Sequence, residues 1–314
     1  MTPARRAVLA RCAGAGLALV LAGLALAFVG HGLHLADLES ALLRQSPGRI
    51  AAALALTGAS FACLALYDLV AVHVVARGRV PGRRALLAGA ASAAIANTLG
   101  AHAVSGSAVR AHLYLPAGLA RGDVARIVAM AWLSLVAGNM TMLAGAELVE
   151  AATGPDPAWH AALGLALEAL LLAWLWWLSR GRREIVLGRW RLALPPASVA
   201  VALMLLGAVE SGTAVGALYV LLPADLVPPF DVFAIGCIGA VILGVIAHTP
   251  GGLGVFEAGM TALLAGRGRP DLVAALLLYR LLYNLLPFVL AVLVLGARAL
   301  SGSRAARPQS GRGA

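Results

Sequence analysis

Apolar residues in this chain run in long blocks separated by short, arginine-rich interruptions. Six blocks, about 13–36, 50–76, 124–150, 160–179, 195–222 and 271–298, each supply roughly the 20 residues that a ~30 Å hydrocarbon core demands. Each predicts a transmembrane helix. Two further apolar regions, about 85–116 and 232–266, are interrupted in the middle. The first breaks around Leu99-Gly100-Ala101-His102, the second at Thr249-Pro250-Gly251-Gly252-Leu253-Gly254-Val255-Phe256-Glu257. A proline and a run of glycines cannot continue a helix. The arms on either side, about 14–16 residues or about 21–24 Å long, fall short of a crossing. Irregular backbone in lipid leaves polar groups unpaired, so such breaks survive only where they line a polar cavity or pack against protein. Broken helices of this kind mark substrate sites in transporters.

The arginines decide how the interrupted regions run. If both are re-entrant hairpins, Arg44, Arg49, Arg267 and Arg269 lie outside, Arg280 lies in the membrane, and every other arginine is cytoplasmic. A full span over 85–104 would move the Arg-rich 180–191 loop outside, against the positive-inside rule. The hairpin arrangement therefore predicts six spans and both termini in the cytoplasm. It also yields two units of opposite orientation, about 50–150 and 195–298, the inverted-repeat plan of many secondary transporters. A cytoplasmic tail over 1–12 precedes the membrane domain of 13–300, and a disordered tail over 301–314 follows it.

Composition agrees with a membrane protein. Of 314 residues 61% are hydrophobic and 12% are charged, with a mean hydropathy of +0.90. The net charge of +10 would suggest nucleic acid in a soluble protein. Here every basic residue is an arginine between apolar runs, so topology and anionic lipid account for the charge. Arg5, Arg6 and Arg11 before an apolar run resemble a signal peptide, but the run continues to about Leu33 and predicts an uncleaved first helix. Cys12, Cys63 and Cys237 stand apart, with neither disulfide nor metal spacing.

Charges inside spans are costly and each needs a reason. Arg280 sits near the middle of 271–298, with Tyr283, Asn284 and Pro287 on one helical face. Glu210 is central in 195–222 and Asp68 lies in the inner half of 50–76. Asp68 and Glu210 occupy corresponding spans of the two units. They could form a structural pair with Arg280, or a binding centre. Glu147, Glu150, Glu168 and Asp271 lie closer to segment ends and read as interfacial. Glu257, in the first turn after the second break, either caps that half-helix or meets substrate. The amides of Gly251, Gly252 and Gly254 beside it could receive a phosphate. His102 and His248 flank the two breaks, but no histidine pair has the i, i+4 spacing of a zinc site, so neither metal nor cofactor is expected. No nucleophile elbow, triad or clustered carboxylate is present, and the chain is expected not to be an enzyme.

The stretch Thr249–Glu257 resembles the signature of the lysylphosphatidylglycerol synthase transmembrane family, which includes the flippase domain of the multiple peptide resistance factor proteins. Tyr67-Asp68, Ser105-Gly106-Ser107 followed by Arg110, Glu210, and Tyr279-Arg280-Leu281-Leu282-Tyr283 add to the resemblance, which covers roughly 15–300. It implies movement of an aminoacylated phospholipid between leaflets, with Asp68, Glu210 and Arg280 important. This chain has no aminoacyltransferase domain, and it carries Ser-Gly-Ser where many relatives have a Gly-Gly-Asp-like stretch.

The expectation is a lipid translocase of a bacterial-type inner membrane, carrying a phospholipid or glycolipid through a central polar cavity. Its binding residues would be Asp68, Arg110, Glu210, Gly251, Gly252, Gly254, Glu257, Arg280, Tyr283 and Asn284. The alternative is a non-transporting scaffold for a lipid- or polysaccharide-synthesis enzyme.

Overall fold

A computed structural model describes residues 39–40, 42–100, 102–181, 184–187, 190–246, 254–265 and 269–305. The sequence-predicted first span (13–36), the tail 1–12, and Gly251 and Gly252 lie outside the described residues, as do His248 and the side chain of His102. The architecture is helical: α1 (Pro47–Ala76), α2 (Gly82–Leu99), α3 (His102–Tyr114), α4 (Arg121–Thr153), α5 (Pro157–Ser179), α6 (Ala197–Tyr219), α7 (Phe230–Ile246), α8 (Val255–Leu263), α9 (Pro270–Tyr279) and α10 (Leu286–Ala305). A π-helical turn, Arg280–Leu285, joins α9 to α10, so that Pro270–Leu300 reads as one long apolar rod. With α1, α4, α5 and α6 it makes five helices, among the described residues, long and apolar enough to cross a membrane. They coincide with five of the six predicted spans. The last helix continues to Ala305, past the boundary at 300.

Local chemistry sets the ends. Prolines stand at the start of α1, α5 and α9, where the missing N–H costs nothing. The first predicted break falls at Gly100, whose φ of 70° is open to glycine and strained for other residues. One element is absent from the sequence reading: part of the 180–191 loop is an antiparallel ribbon, β1 (Glu184–Leu187) with β2 (Trp190–Ala193), in which Leu187 faces Trp190. Two short β-prone runs on either side of a Gly-Arg pair were the available signal in the sequence.

The interrupted regions fold back as hairpins, α2 on α3 and α7 on α8. Each is bracketed by an Arg–Asp bridge. Arg79, after α1, reaches Asp123 in the first turn of α4 at 3.2 Å. Asp225, after α6, holds Arg269 at the start of α9 at 2.8 Å. The chain thus leaves and rejoins each hairpin at one end of the bundle.

Two main cores organise the helices. One gathers Tyr67, Tyr114, Ile127 and Met130 from α1, α3 and α4, and the other Leu218, Phe233, Met260 and Leu276 from α6 to α9. Contacts across the halves are reciprocal, since α2 packs on α10 and α7 on α4. The tightest crossing sets Gly138 of α4 against Gly207 of α6, where a Cβ on either would collide with the other's backbone. Such small-residue approaches replace the hydrophobic drive that lipid does not supply. Only Gly164, Leu171 and Leu178 of α5 are buried, so its Trp159, Leu165, Leu172 and Trp176 face outward, as suits a lipid-facing helix.

Candidate functional site

Three polar clusters lie inside the bundle, each on an interrupted or widened element. In the first, Asp68 of α1 is fully buried against the returning arm of the first hairpin. Arg110 donates from Nε to Oδ1 and Oδ2 at 2.9 and 3.0 Å and from Nη2 to Oδ1 at 2.7 Å. The Tyr114 hydroxyl donates to Oδ2 at 2.7 Å. Arg110 and Tyr114 stand one helical turn apart and so reach the same carboxylate. Gly106, a turn earlier, leaves room for the guanidinium, since a Cβ there would lie 3.3 Å from Arg110 Nη1.

The second cluster is built on Glu210, which is 4% exposed in the middle of α6. Its Oε1 lies at hydrogen-bond distance from Ser60 Oγ, 2.9 Å, and from the Tyr283 hydroxyl, 3.1 Å. The two hydroxyls are themselves 2.8 Å apart. Glu210 has no ion-pair partner among the described residues.

The third couples the two halves of the broken architecture. Arg280 Nε donates to Glu257 Oε1 at 2.7 Å, while the Gly254 amide donates to Glu257 Oε2 at 2.8 Å. Glu257 therefore caps α8 and binds the arginine at once. Gly254 takes φ 80°, which glycine alone adopts at no cost. The Arg280 guanidinium also lies 5.3 Å from the ring of Phe256.

The π-helical turn carries one member of each of the last two clusters, and Pro287 explains it. A proline there has no N–H for the Tyr283 carbonyl, and its ring would strike that carbonyl in an α-helix. The bond from the Leu286 N–H to the Leu281 carbonyl spans five residues instead. Within the turn the Asn284 carbonyl accepts from Thr98 Oγ1 at 3.1 Å, while Asn284 Nδ2 donates to the Asn97 carbonyl at 3.1 Å. The broken end of α2 is thus tied to the turn. A row of rings, Phe61, Tyr283, Tyr279 and Phe256, with centroid spacings of 5.6, 5.2 and 6.2 Å, links the Glu210 cluster to the Arg280 cluster. Single π-turns of this kind recur at functional sites.

The pairings differ from the sequence expectation. Arg280 pairs with neither Asp68 nor Glu210: Asp68 is taken by Arg110 and Arg280 by Glu257. Ser60 and Tyr114 were not singled out, although each is a lone hydroxyl in an apolar stretch near a predicted charge. Glu147 and Glu150, read as interfacial, are buried, and Glu147 bonds His160 Nδ1 at 2.6 Å. Asp271 does sit at a helix start, half-buried and bound to Arg269.

A cleft of about 690 Å³ opens at the end of the bundle where α1 and α9 begin, lined by Arg44, Gln45, Arg49, Asp225, Arg269 and Asp271, among others. Hydrogen bonds from Arg269 hold the Asp225 carboxyl below the usual aspartate range and raise the guanidinium in turn. The cleft lies apart from the three inner clusters and at the end opposite the Arg79–Asp123 bridge.

No protein family model matches the chain. Two known proteins do. One is the inner membrane protein YbhN of Escherichia coli (strain K12), 31% identical over 203 residues, or 60% of this chain and 62% of YbhN. The other is the uncharacterized protein slr0712 of Synechocystis, 31% identical over 268 residues, or 83% of each chain. With its five membrane-length apolar helices, the chain is an integral membrane protein and belongs to the family that includes slr0712.

Proposed function

We propose that this protein is a lipid translocase of the bacterial inner membrane. The headgroup would cross through the polar interior while the acyl tails stay in the bilayer. One observation carries the reading: the partly buried Arg280–Glu257 pair and the buried Glu210 cluster are both tied to an interrupted or widened helix, through Gly254 and the π-helical turn. Intramembrane ionisable groups are costly, and irregular backbone at that depth needs a polar neighbour. The resemblance of Thr249–Glu257 to the lysylphosphatidylglycerol synthase transmembrane family points the same way.

In this reading the chain has six spans and two re-entrant hairpins in inverted units, with both termini cytoplasmic. Support comes from the Arg–Asp bridges that bracket both hairpins and from the reciprocal packing of α2 on α10 and α7 on α4. Arg280, with the amides of Gly251, Gly252 and Gly254, would take the lipid phosphate. Separation of Asp68 from Arg110 would free a carboxylate for a cationic group.

The test is leaflet exchange of acyl-labelled cationic, anionic and isoprenoid-linked lipids in vesicles containing the purified protein. Arg280→Ala is expected to abolish exchange of the lipid class that wild type moves, with normal membrane insertion. Equal exchange by the variant removes the assignment. A second reading, a non-transporting scaffold for a lipid- or polysaccharide-synthesis enzyme, draws on the mutual satisfaction of Asp68 and Arg110. It expects charge-neutral variants to keep function, and changes in the 77–84 and 180–191 loops to lose it.

A further inference from the structure

We infer that Glu210, Ser60 and Tyr283 form a proton-binding site in which Glu210 carries the proton, released when a cationic headgroup group arrives. The inference rests on the lipid-translocase reading for the identity of the exchanging cation, but not for the proton itself.

Three oxygens, Glu210 Oε1, Ser60 Oγ and Tyr283 Oη, form a closed triangle with edges of 2.9, 2.8 and 3.1 Å. All three edges are hydrogen-bond distances, and each needs one hydrogen. A serine and a tyrosine hydroxyl supply one each, and an ionised carboxylate supplies none. With Glu210 ionised, one edge would set two oxygens together with no hydrogen between them. A proton on Oε1 supplies the third hydrogen. Glu210 then donates to Ser60, Ser60 to Tyr283, and Tyr283 back to Glu210, so that every edge is filled.

Among the described residues no cation pairs with Glu210 to hold it as an anion. The titratable groups electrostatically close to Glu210 are Cys63 and Tyr67 on α1 and Tyr279 and Tyr283 on the last rod, all of which can carry only negative charge. From α4, the packing of Asn139 against the adjacent Ser211 brings no charge. The nearest cations of the clusters are already committed, Arg110 to Asp68 and Arg280 to Glu257. A second observation concerns α1. Thr57, Ser60 and Tyr67 share its buried face, and Thr57 Oγ1 and Tyr67 Oη are buried without a hydrogen-bond partner. Orphaned hydroxyls on either side of an occupied one are positions for water, and so for a proton path along α1.

The exchange balances. Protonated Glu210 plus an alkylammonium headgroup gives the ammonium–carboxylate pair, and the proton leaves to water on the side from which the cation came. Net charge at the site stays zero, with one cation in for one proton out. Transport of an amine-bearing lipid would thereby be tied to the proton gradient, which supplies an energy source in a chain with no nucleotide loop.

The experiment is infrared difference spectroscopy of the full chain in lipid nanodiscs, titrated from mildly acidic to alkaline pH. Wild type is expected to show a carboxylic-acid C=O band at neutral pH that is lost in Glu210→Gln, shifted in Ser60→Ala and Tyr283→Phe, and unmoved in Glu257→Gln. Absence of that band at neutral pH overturns the inference. If Glu210→Gln fails to fold, the Ser60→Ala shift decides alone, because an ionised Glu210 has no acid band to shift. A parallel arm follows acyl-labelled phosphatidylethanolamine in vesicles with an imposed pH gradient. A biased leaflet distribution in wild type supports coupling. Exchange without bias overturns the coupling, and an acid band with no lipid movement at all leaves the proton site standing while the translocase reading fails.

Discussion

Replacing Asp68 by asparagine keeps its shape and removes its charge, which leaves Arg110 buried with no counter-ion. Breaking a buried ion pair from one side costs about 3–5 kcal/mol, more than the pair contributes when intact, because the surviving charge is stranded. Asp68→Asn is therefore expected to lower the thermal midpoint in detergent and to open the first hairpin to protease at 102–114. Tyr114→Phe, which removes one donor to the same carboxylate, is expected to cost about 1.5–3 kcal/mol. A midpoint unchanged in Asp68→Asn would mean that water already reaches Arg110. The sequence placed Asp68, Glu210 and Arg280 inside apolar spans but did not show how they pair. Hydropathy gives depth along each helix, whereas pairing depends on which faces meet. Arg110 looked cytoplasmic by the positive-inside count and turns out to lie 2.7 Å from Asp68.

Elements were more legible than pairings. Five predicted spans and both interruptions reappear because each follows from local physics: an apolar run of membrane length, or a glycine or proline that a helix cannot absorb. The ribbon at 184–193 was hidden by its arginines, which matter to topology and say nothing about pleat. The π-helical turn was partly legible, since Pro287 was already singled out with Tyr283 and Asn284. Its consequence can be tested. Pro287→Ala restores an N–H opposite the Tyr283 carbonyl and lets an ordinary α-helix form through the turn. That would shift Arg280, Tyr283 and Asn284 out of register with Glu257, Ser60 and Asn97. The expected outcome is an unchanged or raised thermal midpoint with lipid exchange slowed on the order of tenfold, about 1.4 kcal/mol of barrier. Exchange at the wild-type rate would show that the widened turn serves packing alone.

At the scale of the whole molecule, the orientation of the bundle follows from where each hairpin begins and ends. Arg79–Asp123 and Asp225–Arg269 close the two hairpins at opposite ends, because α6 runs the length of the bundle between the ribbon and Asp225. In the proposed orientation the arginine-rich end, with Arg77, Arg83, Arg84 and Arg180, would face the cytoplasm by the positive-inside rule, and the cleft lined by Arg44 and Arg49 would lie outside. Two exposed positions distinguish the alternatives: Ser179 at the end of α5 and Ala224 after α6. Cys63 and Cys237 are buried, so with Cys12 replaced by serine a cysteine introduced at either position is the main accessible thiol. In intact spheroplasts a membrane-impermeant maleimide is expected to label Ala224→Cys directly and Ser179→Cys only after lysis. Reversal at both positions would mean that the molecule is inserted the other way up. Labelling of Ser179→Cys from outside, with Ala224→Cys protected, would also move the Arg180–Arg191 segment out of the cytoplasm, so the charge bias could no longer explain how the re-entrant hairpins are oriented.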